Sequence, residues 1–472
     1  MPAFTKRTTS LAGLFILIAG FLFLTWNSVS HGPYIYDEAD YVSAASRGVL
    51  ANAFESGSIS VVQLVKIALD SRGSKGRASL SEWIRNSNDV SFYRHWHGPL
   101  GFYYLIAVGV AGQSEFVHRL SMLVFPLLTL IVTWFACWRL LPETMKFGGA
   151  VLTTALVAWN FIATRPSEIA PHQLYALAAI VSIVFLALAI QTEVRRYWYA
   201  SVAFAALAIL TLEIGFVLIF LLLLMAWIER KSLQTSASML AKSAALYLGI
   251  IFILWPAAIL QLSIVKAYMS LVYIAMYRKH WGDVTPLGSW QLRIQHSPVQ
   301  WLLLAAALIL FFARRDLPVR RVALPFLLFG GLTLLVLARV ANDTARYDLP
   351  YFQAFNFFTG LVLTVAIYDF KPLVRNLVIA GTAAACLFTT WFAMQSTREI
   401  PSSVPRVLEA VRRDGLTSAS ILAPQNLVPV LHYYFPESRL RGYGDAAPTS
   451  DDLRAAAYDA IIEPDNRVEK LH

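Results

Sequence analysis

The chain has 472 residues, of which 57% are hydrophobic and only 14% charged, and its mean hydropathy is +0.56. A soluble domain of that composition would expose a very large apolar surface, so these values describe a protein that crosses a membrane several times. The formal charge of +10 does not indicate nucleic acid, because Lys and Arg cluster in short turns between apolar runs, the pattern of cytoplasmic loops facing anionic lipid.

A helix crosses the hydrocarbon core with roughly 20 apolar residues. On that rule the sequence predicts spans near 11–29, 116–138, 146–164, 172–191, 197–212, 214–229, 241–261, 299–313, 322–339, 351–369 and 376–394. The first also has features of a secretory signal, with Ser28-x-Ser30 as a cleavage candidate, but its long, aromatic-ended apolar stretch favours a retained span. The piece from Pro99 to Gly112 is short, and the basic turns (Lys6-Arg7, Arg195-Arg196, Arg230-Lys231, Arg314-Arg315, Lys371 with Arg375) share one side only if it is re-entrant or shallow. The same parity gathers the loop 31–98, the turn around Arg165, the loop 262–298, the turn 339–350 and the tail on the non-cytoplasmic face. The expected fold class is therefore an α-helical polytopic membrane protein with about eleven spans. Residues 1–394 form the transmembrane domain, with 31–98 as its outer catalytic loop, and 395–472 form a small soluble α/β domain on the outer side.

Candidate chemistry starts with Asp37 and Glu38, adjacent acids just beyond the first span. Acids at a membrane boundary are costly to desolvate and often functional. In a helix starting at Asp37, Asp37, Asp40 and Tyr41 share a face turned to water, while Ala39 and Val42 meet lipid. The bland reading is a capping Asp37 and a solvated Glu38. His95 and His97 are spaced two apart without a third ligand, so no metal site is assigned, and Cys137 and Cys386 sit singly in apolar stretches. Arg119, Arg165 and Arg346-Tyr347 all fall on the outer side, against the inside bias of basic residues. A phosphate partner explains them, and headgroup contact is the alternative.

Taken together, the acidic pair after the first span, His97 with Pro99-Leu100, Arg165 after a later span, and the Arg346-Tyr-x-x-Pro350 turn resemble the polytopic GT-C glycosyltransferases. The closest branches in layout are protein O-mannosyltransferases, aminoarabinose transferases and lipopolysaccharide galacturonosyltransferases, and about the first 370 residues follow that layout. Gly98 departs from the family, standing where its pattern has a proline. The resemblance implies an inverting hexosyl- or pentosyltransferase of the inner membrane, with its site facing the periplasm. A polyprenyl-phosphate sugar is the implied donor and a glycolipid, polysaccharide or protein hydroxyl the acceptor. It makes Asp37 and Glu38 catalytic and assigns Arg165, Arg346, Tyr347, Tyr41 and His97 to donor-phosphate and substrate binding. No cofactor is assigned, and a divalent ion could assist at the phosphate although no ligand set declares itself. The rival class is a transporter or lipid flippase, which usually places charges inside its spans and shows internal repeats, neither of which is evident here. Residues 267–277 and the polar stretch 70–77 are candidate substrate-covering segments.

Overall fold

A computed structural model of the chain describes residues 3–26, 29, 32–35, 37–46, 48, 97–160, 168–255, 280–281, 285–337, 341–342, 345–396, 403–424, 426–443 and 458–471. The expectations for Arg165, for 70–77 and for 267–277 lie outside these residues.

The helices in chain order are α1 (Ala3–Thr25), α2 (Asp37–Ser46), α3 (Pro99–Ala111), α4 (Glu115–Met122), α5 (Val124–Leu140), α6 (Lys146–Ala158), α7 (His172–Thr192), α8 (Arg195–Ile209), α9 (Phe216–Ile228), α10 (Ala237–Leu254), α11 (Pro286–His296), α12 (Pro298–Ala313), α13 (Arg320–Leu337), α14 (Leu349–Ala366), α15 (Pro372–Ser396), α16 (Val404–Arg413) and α17 (Val428–Tyr434). Each of the eleven apolar segments read as a span contains a helix among its described residues. Among the described residues, six stretches are long and apolar enough to cross a membrane: Glu115–Leu140, α7, α10, α13, Arg346–Ala366 and α15. A seventh is added if α11 and α12, bent by 92° at Ser297, count as one broken span. The others are shorter, such as α6 at 13 residues and α8 at 15, and they pack among the long helices. The chain is a multi-pass membrane protein.

Helices α7 and α14 are the axis of the bundle, with 83% and 89% of their apolar windows buried, against 11% for α10 and 22% for α15. The outer helices expose Ile253, Leu373, Leu377 and Phe388, which suits lipid and not water. Close backbone approach holds the axis together: a Cβ at Gly360 on α14 would overlap Thr153 on α6, and one at Gly330 would strike the Phe355 ring. Phe326 and Phe357 stack at 4.2 Å between α13 and α14.

α3, at 13 residues, is about 20 Å long, short of a roughly 30 Å core. Both of its flanks return to the same place. His97, before it, bonds to Tyr41, and His118, after it, bonds to Tyr34. Two-residue strands β1 (His280–Trp281) and β2 (Ala341–Asn342) pair in parallel, joining the loop 262–298 to the turn 339–350 at this end of the bundle.

The tail forms a four-stranded sheet of β3 (Ser420–Pro424), β4 (Arg439–Tyr443), β5 (Ala460–Ile462) and β6 (Val468–Lys470), ordered β4-β3-β5-β6. β3 runs parallel to β4 and β5, and β6 is antiparallel to β5. The continuous apolar run Ile421-Leu422-Ala423 is what a strand covered on both faces requires. α16 buries Val404, Val407, Leu408 and Val411, one apolar stripe at helical spacing. This core is continuous with the buried face of α2. Ala39 and Val42 accordingly pack into protein and do not meet lipid, which corrects the expectation of a helix lying free on the membrane surface. The physical reason is the tail itself, since α17 seats directly on α2.

Candidate active site

The segment entering α2 is held by polar contacts on every side. Arg119 of α4 donates from Nε to Glu38 Oε1 at 3.2 Å and from Nη2 to Oε2 at 2.6 Å. It also reaches the carbonyls of Gly32 at 2.7 Å and Pro33 at 2.9 Å. Glu38 in turn accepts from the Ile35 amide at 3.1 Å and the Ile169 amide at 3.2 Å. Both of its oxygens are therefore occupied, and the side chain is buried. Glu38 stitches the segment before α2 to α4 and to the segment before α7. These contacts make Glu38 part of the frame that carries Asp37.

The tail completes the clamp. The Tyr34 amide donates to the Tyr434 hydroxyl at 2.8 Å, which itself donates to Glu115 Oε1 at 2.8 Å. The Tyr34 hydroxyl lies 2.7 Å from His118 Nδ1. Burial, helped by Glu115 and the neighbouring tyrosines, pushes both Tyr34 and Tyr434 above the usual phenol range, so they act as neutral hydrogen-bonding groups.

One residue earlier, at the first position of α2, Asp37 turns the other way. Its Oδ2 accepts from Arg346 Nη2 at 2.5 Å, while Arg346 Nη1 bonds Glu168. Three segments far apart in sequence thus meet at one guanidinium. Arg346 is placed by the 3-10 turn Ala345–Asp348, and the buried ion pair of Asp348 Oδ2 with Arg293 Nε at 2.9 Å ties that turn to α11. Asp37 remains about half exposed, and Arg346 is mostly covered. Burial raises the Glu168 carboxyl above its ordinary value, with Arg346 opposing the shift. Among the described residues Arg346 Nε has no hydrogen-bond partner.

Tyr347 lies beside Arg346, with the guanidinium carbon 5.3 Å from its ring centroid, and meets His172 edge-on at 4.9 Å. His172, buried at the start of α7, has no hydrogen-bond partner on either ring nitrogen among the described residues. On its other side is His97, at 6.2 Å between ring centroids. His97 Nδ1 lies 3.0 and 3.1 Å from the two oxygens of the Glu213 carboxylate, and Nε2 lies 2.9 Å from the Tyr41 hydroxyl. Burial and the Asp37 carboxylate hold Tyr41 well above the usual phenol range. Gly98 is explained here: its α-carbon lies against the Leu210 carbonyl, where any Cβ would collide, and Leu100 N–H donates to that same oxygen at 3.1 Å. The glycine lets the chain before Pro99 dock on the α8 corner, which brings His97 to Glu213.

The structure therefore brings together Asp37, Tyr41, His97, Arg346 and Tyr347. It adds Glu168 and His172, which follow shortly after Arg165 in the sequence. It also adds Glu213, which reads from sequence as a charge at a span boundary, its isolation between two apolar helices being the available signal. Among the described residues no three His, Cys, Asp or Glu side chains converge as metal ligands. Moreover, Arg346 stands between the Asp37 and Glu168 carboxylates, where a bridging dication would sit. Among the described residues, those around Arg346 do not fit a metal.

No family model matches the sequence, and no curated protein does. Solved structures do. ArnT from Cupriavidus metallidurans bound to undecaprenyl phosphate superposes with a TM-score of 0.55 at 12% identity, over 92% of this chain and 86% of that one. The archaeal oligosaccharyltransferase AglB from Archaeoglobus fulgidus, in complex with an inhibitory peptide and a dolichol-phosphate, gives 0.62 at 12% identity over 92% of this chain and 64% of its own length. The chain has the GT-C fold. Apo ArnT from the same bacterium extends the GT-C match to 98% of this chain, at 13% identity and a TM-score of 0.55. The GT-C likeness thus takes in the tail domain as well as the helical bundle.

Proposed function

We propose that the protein is a membrane glycosyltransferase that moves a sugar from a polyprenyl-phosphate donor to an acceptor hydroxyl at the end of the bundle holding Asp37, on the non-cytoplasmic face of an inner membrane. The observation that carries this reading is the Asp37–Arg346–Glu168 cluster at the mouth of a lipid-embedded bundle of GT-C fold. Two proteins of that fold are described with a polyprenyl or dolichyl phosphate, the chemistry an outward arginine suits.

In the proposed reaction Asp37 is the base. Arg346 engages its Oδ2 only, leaving Oδ1 to receive the proton of the acceptor hydroxyl. As that proton transfers, the acceptor oxygen bonds the anomeric carbon, and the bond from that carbon to the phosphate oxygen breaks with its electron pair. The freed phosphate is stabilised by the guanidinium of Arg346, whose Nε edge is unengaged. Arg165 is a second phosphate candidate. Glu168, held by Arg346, serves as the guanidinium's counter-charge and not as a nucleophile. A single base without a nucleophilic carboxylate gives inversion at the anomeric carbon. The acceptor is a hydroxyl of a lipid, glycan or protein.

The test is transfer from a panel of radiolabelled polyprenyl-phosphate sugars to membrane extracts by the purified protein in lipid nanodiscs. Label moving into an extractable acceptor from one donor supports the reading and names the sugar. No transfer from any donor, by protein that is folded and monodisperse, overturns it in favour of transport.

A further inference from the structure

We infer that Tyr41 is a substrate-contacting residue that accepts a hydrogen bond from a substrate hydroxyl, and that Glu213 and His97 are the positioning pair that set it in that sense. The inference rests on the glycosyl-transfer reading and sharpens it by separating the group that meets hydroxyl from the group that meets phosphate.

Three side chains, Glu213, His97 and Tyr41, form one hydrogen-bonded chain. An ionised carboxylate only accepts, so Glu213, buried with its two oxygens 3.0 and 3.1 Å from His97 Nδ1, requires a proton on that nitrogen. A neutral imidazole protonated at Nδ1 has a bare Nε2. That nitrogen lies 2.9 Å from the Tyr41 oxygen, so the single phenol proton is used there. What Tyr41 has left is lone pairs. It is neutral, since burial and the Asp37 carboxylate hold its ionisation far above the ordinary range, so it accepts hydrogen bonds without adding charge.

The chain is rigidly mounted. The close approach of Gly98 to Leu210 fixes His97 from below, and the 3-10 turn Glu213–Gly215 fixes the carboxylate. Tyr41 and His97 line a small, partly open pocket whose other walls are largely apolar, including Phe102, Leu105, Met122 and Phe125. Tyr104, also on that wall, spends its hydroxyl on the Ser121 carbonyl at 2.7 Å. An ionised phosphate has no proton to give a phenol that offers only lone pairs, and the apolar walls disfavour it further. A sugar or alcohol hydroxyl fits both conditions. Tyr41 also sits one helical turn from Asp37, at the four-residue spacing that places side chains about 5–6 Å apart. A hydroxyl held at Tyr41 is thus within the width of one sugar ring of the base. Phosphate is left to Arg346, the cation that binds Asp37.

The decisive experiment is nitrogen-15 NMR of protein labelled at histidine, in lipid nanodiscs, with His97 assigned by its loss in His97→Gln. The expected wild-type spectrum shows His97 neutral and protonated at Nδ1. In Glu213→Gln the carboxamide can donate to Nδ1, so the proton moves to Nε2, and Glu213→Asp retains the wild-type tautomer. An imidazolium, or a proton on Nε2 in the wild type, overturns the inference, and this readout needs no transfer activity. Its failure is therefore distinct from failure of the transferase reading. In the kinetic arm, Tyr41→Phe and Glu213→Gln should each raise KM for the hydroxyl-bearing substrate about tenfold with a smaller change in kcat. The double variant should be no worse than Tyr41→Phe alone. Unchanged KM in an active Tyr41→Phe enzyme, or additive losses in the double variant, would overturn the contact.

Discussion

Removing the Arg119 side chain tests whether the frame beneath Asp37 is built as described. Arg119 and Glu38 have side chains only 5% and 4% exposed, and Arg119 satisfies Glu38 and two backbone carbonyls at once. Arg119→Met would leave Glu38 buried, ionised and held only by the Ile35 and Ile169 amides. Breaking a buried pair by deleting one partner typically costs about 3–5 kcal/mol, because the surviving charge is uncompensated. The double variant Arg119→Met/Glu38→Gln removes that charge and should recover most of the loss, since replacing both members of a buried pair is often near neutral. Reversible unfolding in bicelles, followed by tryptophan fluorescence, measures each variant. A cost in the single variant below about 1 kcal/mol, as for a solvent-exposed pair, would refute the reasoning. So would a double variant no more stable than the single one.

Other consequences follow from the same geometry. Gly98→Ala forces a Cβ into the Leu210 carbonyl and should cost about 1–3 kcal/mol or more and displace His97, whereas Gly109→Ala, which meets open space within α3, should be neutral or slightly stabilising; thermal unfolding compares the two. Tyr434→Phe removes the hydroxyl bridging the Tyr34 amide and Glu115, so hydrogen exchange at the Tyr34 amide should accelerate while exchange within β3 is unchanged. For pH, the raised Glu168 carboxyl holds its proton more tightly when folded. Its contribution to stability is full below the ordinary value of 4.5 and is lost as pH rises through the folded value. Glu168→Gln should flatten that fall, and parallel pH profiles of the unfolding midpoint for the two proteins would contradict it.

Much of this arrangement was legible in the sequence because hydropathy and charge placement are one-dimensional signals. The apolar segments became helices, and the side-of-membrane parity placed the 31–98 loop, the 339–350 turn and the tail together. Contacts of Tyr34 with Tyr434, of Asp37 with Arg346, and of His280 with Ala341 bring these segments to one end of the bundle. The shortness of the 99–112 segment was likewise readable. Partner choice was not. Asp37 and Glu38 are adjacent and chemically alike, yet helix geometry turns them about 100° apart, sending one to Arg346 and the other into a buried bond with Arg119. Glu213 and Tyr434 stayed hidden because their roles depend on partners 116 and 400 residues away. Gly98 looked like a departure from a pattern until the carbonyl it makes room for was in view.

The central claim is that Asp37 performs the proton transfer. Transfer kinetics of wild type, Asp37→Asn and Asp37→Glu, in nanodiscs and with the donor that the panel identifies, test it most directly. Asp37→Asn keeps the shape and a hydrogen bond to Arg346 but cannot take a proton. It should lower kcat by about 10²–10⁴-fold with KM for donor little changed. Asp37→Glu should retain part of the rate. Equal kcat for wild type and Asp37→Asn would remove Asp37 from the chemistry and the account with it.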